Sequence, residues 1–110
     1  MRIGRVLTSL AVLAVCLAAT RADAQDRALR LGQAAAQQLC AECHATAKGA
    51  VRSPASSAPT FEAIASTPGM SSVALRAALQ TSHRSMPNIM LQSDELGDIV
   101  AYIMSLKPGG

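Results

Sequence analysis

The sequence Cys40-Ala41-Glu42-Cys43-His44 constrains this 110-residue chain more than any other feature. One helical turn separates the two thiols, so both can reach the two vinyl groups on one edge of a porphyrin. His44, which follows directly, is then directed beneath the ring, where an imidazole nitrogen can bind iron. In an exported protein, a C-x-x-C-H sequence is typical of covalent haem attachment. We therefore expect one haem c, attached through Cys40 and Cys43, with His44 as an iron ligand.

Three other interpretations of the cysteines compete with haem attachment. A redox-active dithiol normally lies at the start of a helix that follows a strand, whereas a helical segment precedes Cys40. The two thiols could instead form a structural disulfide. A zinc site needs four ligands, but Cys43 and His44 are adjacent and would diverge, and only His83 remains as a further nitrogen or sulfur donor.

The N-terminal segment has the pattern of a secretory signal peptide. Arg2 and Arg5 precede an apolar run over residues 6–19, and residues 22–24 form an A-x-A cleavage site. The apolar run is shorter than the roughly 20 residues that a membrane-spanning helix needs. We expect cleavage after Ala24.

Cleavage would make residues 1–24 a signal peptide and residues 25–110 a single domain. An uncleaved anchor and lipid attachment at Cys16 are the alternatives. The whole chain has 10 Lys+Arg against 7 Asp+Glu, a net charge of +3. Most of this excess lies in the signal peptide, so the charge does not indicate a nucleic-acid partner.

The domain that remains has little material for a core. Only Phe61 and Tyr102 are aromatic, and there is no Trp. A domain of this size usually needs disulfides, a metal or a large cofactor to complete its interior. Three cysteines cannot form a framework of several disulfides, so a bound cofactor is the better explanation.

The remaining sequence predicts short helices separated by long loops. Residues 28–39 are rich in helix formers, and the costly Gly32 within them suggests that another element packs closely there. Gly, Pro and Ser make residues 46–60 a loop. Further helices are predicted over residues 61–66 and from a cap at Ser71 or Ser72 to about Gln80.

The last helix has the clearest signals. Ser93 is a candidate N-cap, and Asp94 and Glu95 place negative charge in the first turn, where the helix dipole favours it. Apolar residues then recur at i, i+3, i+4, i+7 and i+8, namely Leu96, Ile99, Val100, Ile103 and Met104. No stretch alternates like a strand for long, so we expect an all-α domain.

The loop over residues 81–92 offers candidates for a second iron ligand. A Met thioether paired with His suits an electron-transfer haem and raises its reduction potential. We prefer Met86, because Pro87 fixes the backbone beside it. Met90 is the alternative methionine ligand; with Met86 on the iron, Met90 is expected to lie against the ring as a wall residue, with Ile89 and Leu91. His83 is a further alternative ligand and would give bis-His coordination with a lower potential.

With these residues placed, the chain resembles a small bacterial class I cytochrome c. The resemblance covers most of residues 25–110 and implies three to four short helices with long loops around one covalently bound haem. In that family the spacing from the sixth ligand to an aromatic residue of the last helix matches Met86 and Tyr102. The family also crosses its first and last helices at a glycine–aromatic contact, which Gly32 and Tyr102 would make here.

The resemblance also implies contacts around the haem. In the family, a proline carbonyl accepts a hydrogen bond from the iron-binding histidine; Pro59 is our candidate for His44, and Pro54 is the alternative. The segment between the two expected ligands is short for the class, which implies a more open propionate edge. Arg52, Arg84 or a nearby Ser or Thr are the candidates for binding the propionates.

The function implied by the resemblance is that of a periplasmic electron carrier. With both axial positions filled, no site would remain for a substrate, so we expect no enzymatic activity. The expected partners are redox proteins, either a respiratory complex or a periplasmic oxidoreductase, with no nucleic acid and no membrane after cleavage, and we expect a monomer. A haem subunit of a periplasmic dehydrogenase or oxidase complex, and a ligand-binding haem protein with an open sixth position, are the alternatives.

Overall fold

The structure is a computed structural model that describes residues 2–83 and 85–109. Across these residues it contains four α-helices and no strand, which confirms the predicted all-α class. The helices are α1 (Arg2–Leu39), α2 (Phe61–Ala65), α3 (Ser72–Leu79) and α4 (Ser93–Ser105). Loops join them, as the Gly, Pro and Ser residues predicted.

Helix α1 is longer than predicted. We expected a helix from Ala28, but α1 begins at Arg2 and runs without interruption through the predicted cleavage site to Leu39. The large apolar side chains from Ile3 to Leu17 are all more than half exposed. By length and composition this helix could cross a membrane, a test that signal sequences near the N-terminus also pass. Cleavage after Ala24 stays a prediction.

The core forms where the C-terminal part of α1 crosses α4. Gly32 lies at the crossing, and a Cβ built on it would overlap the backbone carbonyl of Asp98 and lie 2.9 Å from the Cβ of Tyr102. One turn further along α1, Ala36 is fully buried. The predicted contact between Gly32 and Tyr102 is therefore present, and it explains why a glycine is accepted inside this helix.

Helix α4 is the central element of the core. The apolar stripe predicted for it is buried at its first four positions, while Met104 is half-buried. Helices α2 and α3 each add one large buried side chain, Phe61 and Leu75, and Leu106 follows α4. Two short helices thus pack on α4 and leave room between them for the site described below.

The helix starts differ from prediction at one position. Ser71 caps α3, its hydroxyl accepting a hydrogen bond from the Ala74 N–H, as predicted. The N-cap of α4 is Gln92 rather than Ser93, and no side chain caps it. Ser93 is already the first helical residue, because Gln92 keeps an extended backbone while its carbonyl accepts from the Leu96 N–H at 2.8 Å.

Substitution of the two helical glycines will test the crossing. Gly32→Ala should lower the free energy of unfolding by about 2–3 kcal/mol, because its Cβ meets backbone that must move. Gly97→Ala is the matched control, since its Cβ meets only the flexible end of Arg76 at 3.4 Å. The control should be neutral or more stable by up to about 1 kcal/mol, from helix propensity. Urea unfolding measures both, and equal stabilities would show that the helices do not cross at Gly32.

Candidate functional site

The two cysteines of the motif lie in a tight turn at the end of α1. The Cys40 N–H still donates to the Ala36 carbonyl (2.9 Å), and the Cys40 carbonyl accepts from the N–H groups of Cys43 (3.2 Å) and His44 (2.9 Å). These hydrogen bonds extend the helical winding of α1 by about one turn beyond Leu39. Cys40 is half-buried and Cys43 is exposed, and both line the same cavity.

The environment of Cys40 does not favour a thiolate. Burial raises the pKa of the Cys40 thiol, and the nearby Glu95 carboxylate raises it further. A redox-active dithiol depends on a lowered thiol pKa. The site lacks that property at Cys40, which weighs against the thiol oxidoreductase interpretation.

The ring of His44 is held by a backbone carbonyl. Its Nδ1 lies 2.7 Å from the carbonyl oxygen of Pro59. Because a carbonyl can only accept, Nδ1 carries the hydrogen and Nε2 of the neutral ring presents its lone pair. The carbonyl is that of Pro59, not of the alternative, Pro54. Thr60, which follows, is the N-cap of α2, so the start of that helix positions the carbonyl.

The loop that brings Pro59 to His44 is tied to the motif itself. Three hydrogen bonds close it: Ala55 N–H to the Cys43 carbonyl (3.1 Å), Phe61 N–H to the Ala45 carbonyl (3.0 Å) and Ala45 N–H to the Ser53 hydroxyl (3.0 Å). The loop is long in sequence, but it is anchored at both ends near the imidazole.

An aromatic contact and a hydrogen bond connect this loop to α4. The ring of Phe61 lies 5.7 Å from that of His44 and 6.5 Å from that of Tyr102, in tilted arrangements typical of stable ring pairs. The Tyr102 hydroxyl donates to the Thr46 carbonyl at 2.7 Å. The residue that packs against Gly32 therefore also fixes the backbone two residues after His44.

A cavity of about 400 Å³ opens beside the motif. Its size falls in the range of small-molecule and cofactor sites. His44 and Pro59 lie on it, together with Met86 and the two cysteines. Apolar side chains from α2, α3, α4 and the adjoining segments form most of the wall: Ile64, Met70, Leu75, Leu79, Ile89, Leu91, Ile99 and Ile103.

One comparison with known proteins identifies the family. Cytochrome c-552 from Bradyrhizobium diazoefficiens is 39% identical to this chain over 97 residues, which are 88% of this chain and 90% of that protein. The chain belongs to the c-type cytochromes. No family model matches it, and no solved structure matches it significantly. Membership confirms the resemblance drawn from the motifs, together with a covalent haem c and a role as a haem electron carrier.

The residues of the cavity fit a covalently attached haem. Two thiols one turn apart lie beside an imidazole whose Nε2 is free to bind a metal, which is the donor set that haem c requires. The wall is largely apolar, and among the described residues no buried side-chain nitrogen or oxygen lacks a hydrogen-bond partner. The predominantly apolar wall of this cytochrome's cavity suits an apolar macrocycle.

The segment before α4 separates the two methionine candidates. Met86 is half-buried and lines the cavity, whereas Met90 is 93% exposed. The prediction of Met90 as a wall residue is therefore wrong. Its neighbours Ile89 and Leu91, which were expected to lie there with it, do line the cavity. The segment has no regular secondary structure, so its side chains follow no fixed alternation, and that of Met90 faces solvent.

The remaining candidates are His83 for the sixth ligand and two arginines for binding the propionates. His83 lines the cavity, but its Nε2 lies 2.7 Å from the Ala78 carbonyl. Arg52 is exposed and is not part of the cavity wall. Arg84 lies outside the described residues.

Sequence reasoning missed the contribution of α3 to the cavity. Leu75 and Leu79 lie four residues apart, which places them on one helix face, and both line the cavity. That spacing was a usable signal. The hydrogen bond from Tyr102 to Thr46 had no signal in the sequence, because it joins residues distant along the chain.

Removing the Tyr102 hydroxyl will test its hydrogen bond. Tyr102→Phe should lower the free energy of unfolding by about 1–2 kcal/mol at neutral pH, because the Thr46 carbonyl loses its donor. Burial raises the pKa of Tyr102 above its ordinary value of 10.0. The wild type should therefore lose stability above pH 10 as the phenol ionises on unfolding, while the variant avoids this loss. Urea unfolding at pH 7, 9 and 11 should show a decreasing difference in unfolding free energy between the wild type and Tyr102→Phe. A difference that stays constant with pH would contradict the assignment.

Proposed function

We propose that this cytochrome is a periplasmic electron carrier whose haem iron is bound by His44 and Met86. The observation that carries the proposal is that one apolar cavity contains both an imidazole fixed through Nδ1 and a half-buried thioether. The other methionine of the same segment, Met90, is exposed to solvent. His/Met coordination suits electron transfer and gives a raised reduction potential.

The chain's own residues serve electron transfer by limiting structural rearrangement of the site when the iron changes its oxidation state. When bound, the haem supplies a one-electron Fe(III)/Fe(II) couple. The Pro59 carbonyl holds the His44 ring in one orientation and makes its Nε2 a more basic ligand for iron. The apolar wall excludes water from the cavity. This exclusion lowers the reorganisation energy of electron transfer, because fewer water dipoles must reorient when the charge of the iron changes. The pair of ligands leaves no coordination position for a substrate, so we propose no enzymatic activity.

The exposure of the motif supports electron exchange with other proteins. Cys43 is exposed while Cys40 is half-buried, so the haem edge that both cysteines would hold would be nearer the protein surface at Cys43. We propose that redox partners, a respiratory complex or a periplasmic oxidoreductase, approach there and that the carrier works as a monomer.

The proposed periplasmic location rests on residues 1–24, the expected signal peptide, which are called the leader below. The apolar side chains before residue 18 are exposed along α1, and the core residue nearest the N-terminus is Ala36. Cleavage after Ala24 therefore removes none of the core. A free leader segment of this kind is what a signal peptidase substrate requires.

Intact mass will test processing and attachment together. The protein exported from a host that matures c-type cytochromes should have Gln25 as its first residue and the added mass of one haem. Cys16→Ala should give the same product, whereas Cys40→Ala and Cys43→Ala should reduce haem content in a pyridine haemochrome assay. A product that retains residues 1–24 would identify an anchor, and a lipid mass lost in Cys16→Ala would identify a lipoprotein.

Replacement of the two methionines will test the sixth ligand. Met86→Ala should lower the reduction potential and allow carbon monoxide to bind the ferrous protein, because the thioether is removed. Met90→Ala is the control from the same segment and should match the wild type in both measurements. The reverse pattern would move the ligand to Met90, and carbon monoxide binding by the wild type would favour a ligand-binding protein.

A further inference from the structure

We infer that His83 is a positioning residue that holds the Met86 segment against the end of α3. The inference rests on the proposed ligation of iron by Met86. The role differs from that of an iron ligand: His83 acts by restricting where the methionine can move.

The segment that carries Met86 has little hydrogen bonding of its own. Residues 82–83 and 85–91 form no backbone–backbone hydrogen bond with any other described residue. The contact of His83 with Ala78 is the one side-chain hydrogen bond found for these residues in the described part of the chain. Ile89 and Leu91 also hold the segment through apolar contact with the cavity, but such contact is not directional.

The group that His83 binds is firmly placed. Its Nε2 lies 2.7 Å from the Ala78 carbonyl oxygen, so Nε2 carries the hydrogen and donates it. Ala78 is in the last turn of α3, and its carbonyl also accepts a hydrogen bond from the Thr81 N–H at 3.2 Å, as the two lone pairs of a carbonyl oxygen allow. Helix α3 is itself anchored by Leu75, which is 3% exposed in the core. The bond therefore ties a loosely held segment to a fixed helix end.

The position of this bond determines its effect on Met86. Met86 follows His83 by three positions, and three positions of extended chain span at most about 10–11 Å. Fixing His83 therefore confines the thioether to a small volume beside the cavity and raises its effective concentration at the iron. Without the bond, an added ligand should compete with Met86 more successfully.

Imidazole binding to the ferric holoprotein will test this role. His83→Ala should bind imidazole about three- to tenfold more tightly, the range that corresponds to one net hydrogen bond. It should also lose part of the sulfur-to-iron charge-transfer band in the far red. His83→Gln keeps an N–H donor and should restore part of both properties.

A matched control separates tethering from damage to α3. The Thr81 hydroxyl donates to the Ala77 carbonyl at 2.7 Å, so Thr81→Val removes a similar hydrogen bond from the same helix end. That bond lies before the Met86 segment, and the variant should bind imidazole like the wild type. Equal effects of Thr81→Val and His83→Ala would overturn the inference, as would an unchanged affinity in His83→Ala.

Met86→Ala, measured in parallel, distinguishes failure of this inference from failure of the proposed function. If Met86→Ala abolishes the charge-transfer band while His83→Ala has no effect, only the positioning role fails. If the wild type has no such band and His83→Ala converts a low-spin protein to high spin, His83 is the ligand and both proposals fail.

Discussion

The close approach of α1 and α4 is the constraint on which the rest of the structure depends. Gly32 allows the two backbones to meet at Asp98, and this contact sets the position of Tyr102. Tyr102 in turn packs near Phe61 and binds the Thr46 carbonyl. The lack of a side chain at Gly32 thus determines where the loop after the haem-binding motif can lie.

The two sides of the cavity are held by different kinds of interaction. On the His44 side, the ring donates a hydrogen bond to the Pro59 carbonyl, and backbone hydrogen bonds hold the loop that carries this carbonyl. On the Met86 side, apolar contacts dominate, supplemented by the His83 bond. Directional bonds specify geometry, whereas apolar packing specifies only proximity. The His44 side is therefore the more rigid.

Features set by local chemistry could be predicted from the sequence. The C-x-x-C-H motif, the stripe on α4 and the cap at Ser71 each depend on residues within about one or two turns. The role of Gly32 was also accessible, since a costly glycine in a helix signals a close neighbour. The structure places Pro59 and Met86 on the cavity, where the candidates chosen from the sequence are expected to lie.

Features set by packing or by irregular backbone could not be predicted. The exposure of Met90 depends on the orientation of a segment without regular periodicity. The N-cap at Gln92 depends on where an extended backbone turns into a helix, which sequence signals define only to within a residue or two. The continuity of α1 through residues 2–24 could not be predicted, because the A-x-A cleavage pattern at residues 22–24 indicates a processing site and carries no signal for or against a helix.

The crossing of α1 and α4 also sets the order in which the domain can fold. Gly32 and Tyr102 are roughly 70 residues apart, so their contact closes a loop that contains nearly every other element and carries the corresponding entropic cost. In the proposed export the chain would emerge with its N-terminus first, and this loop could not close until α4 had arrived. Until then both cysteines lie on an open polypeptide, accessible to whatever attaches the haem.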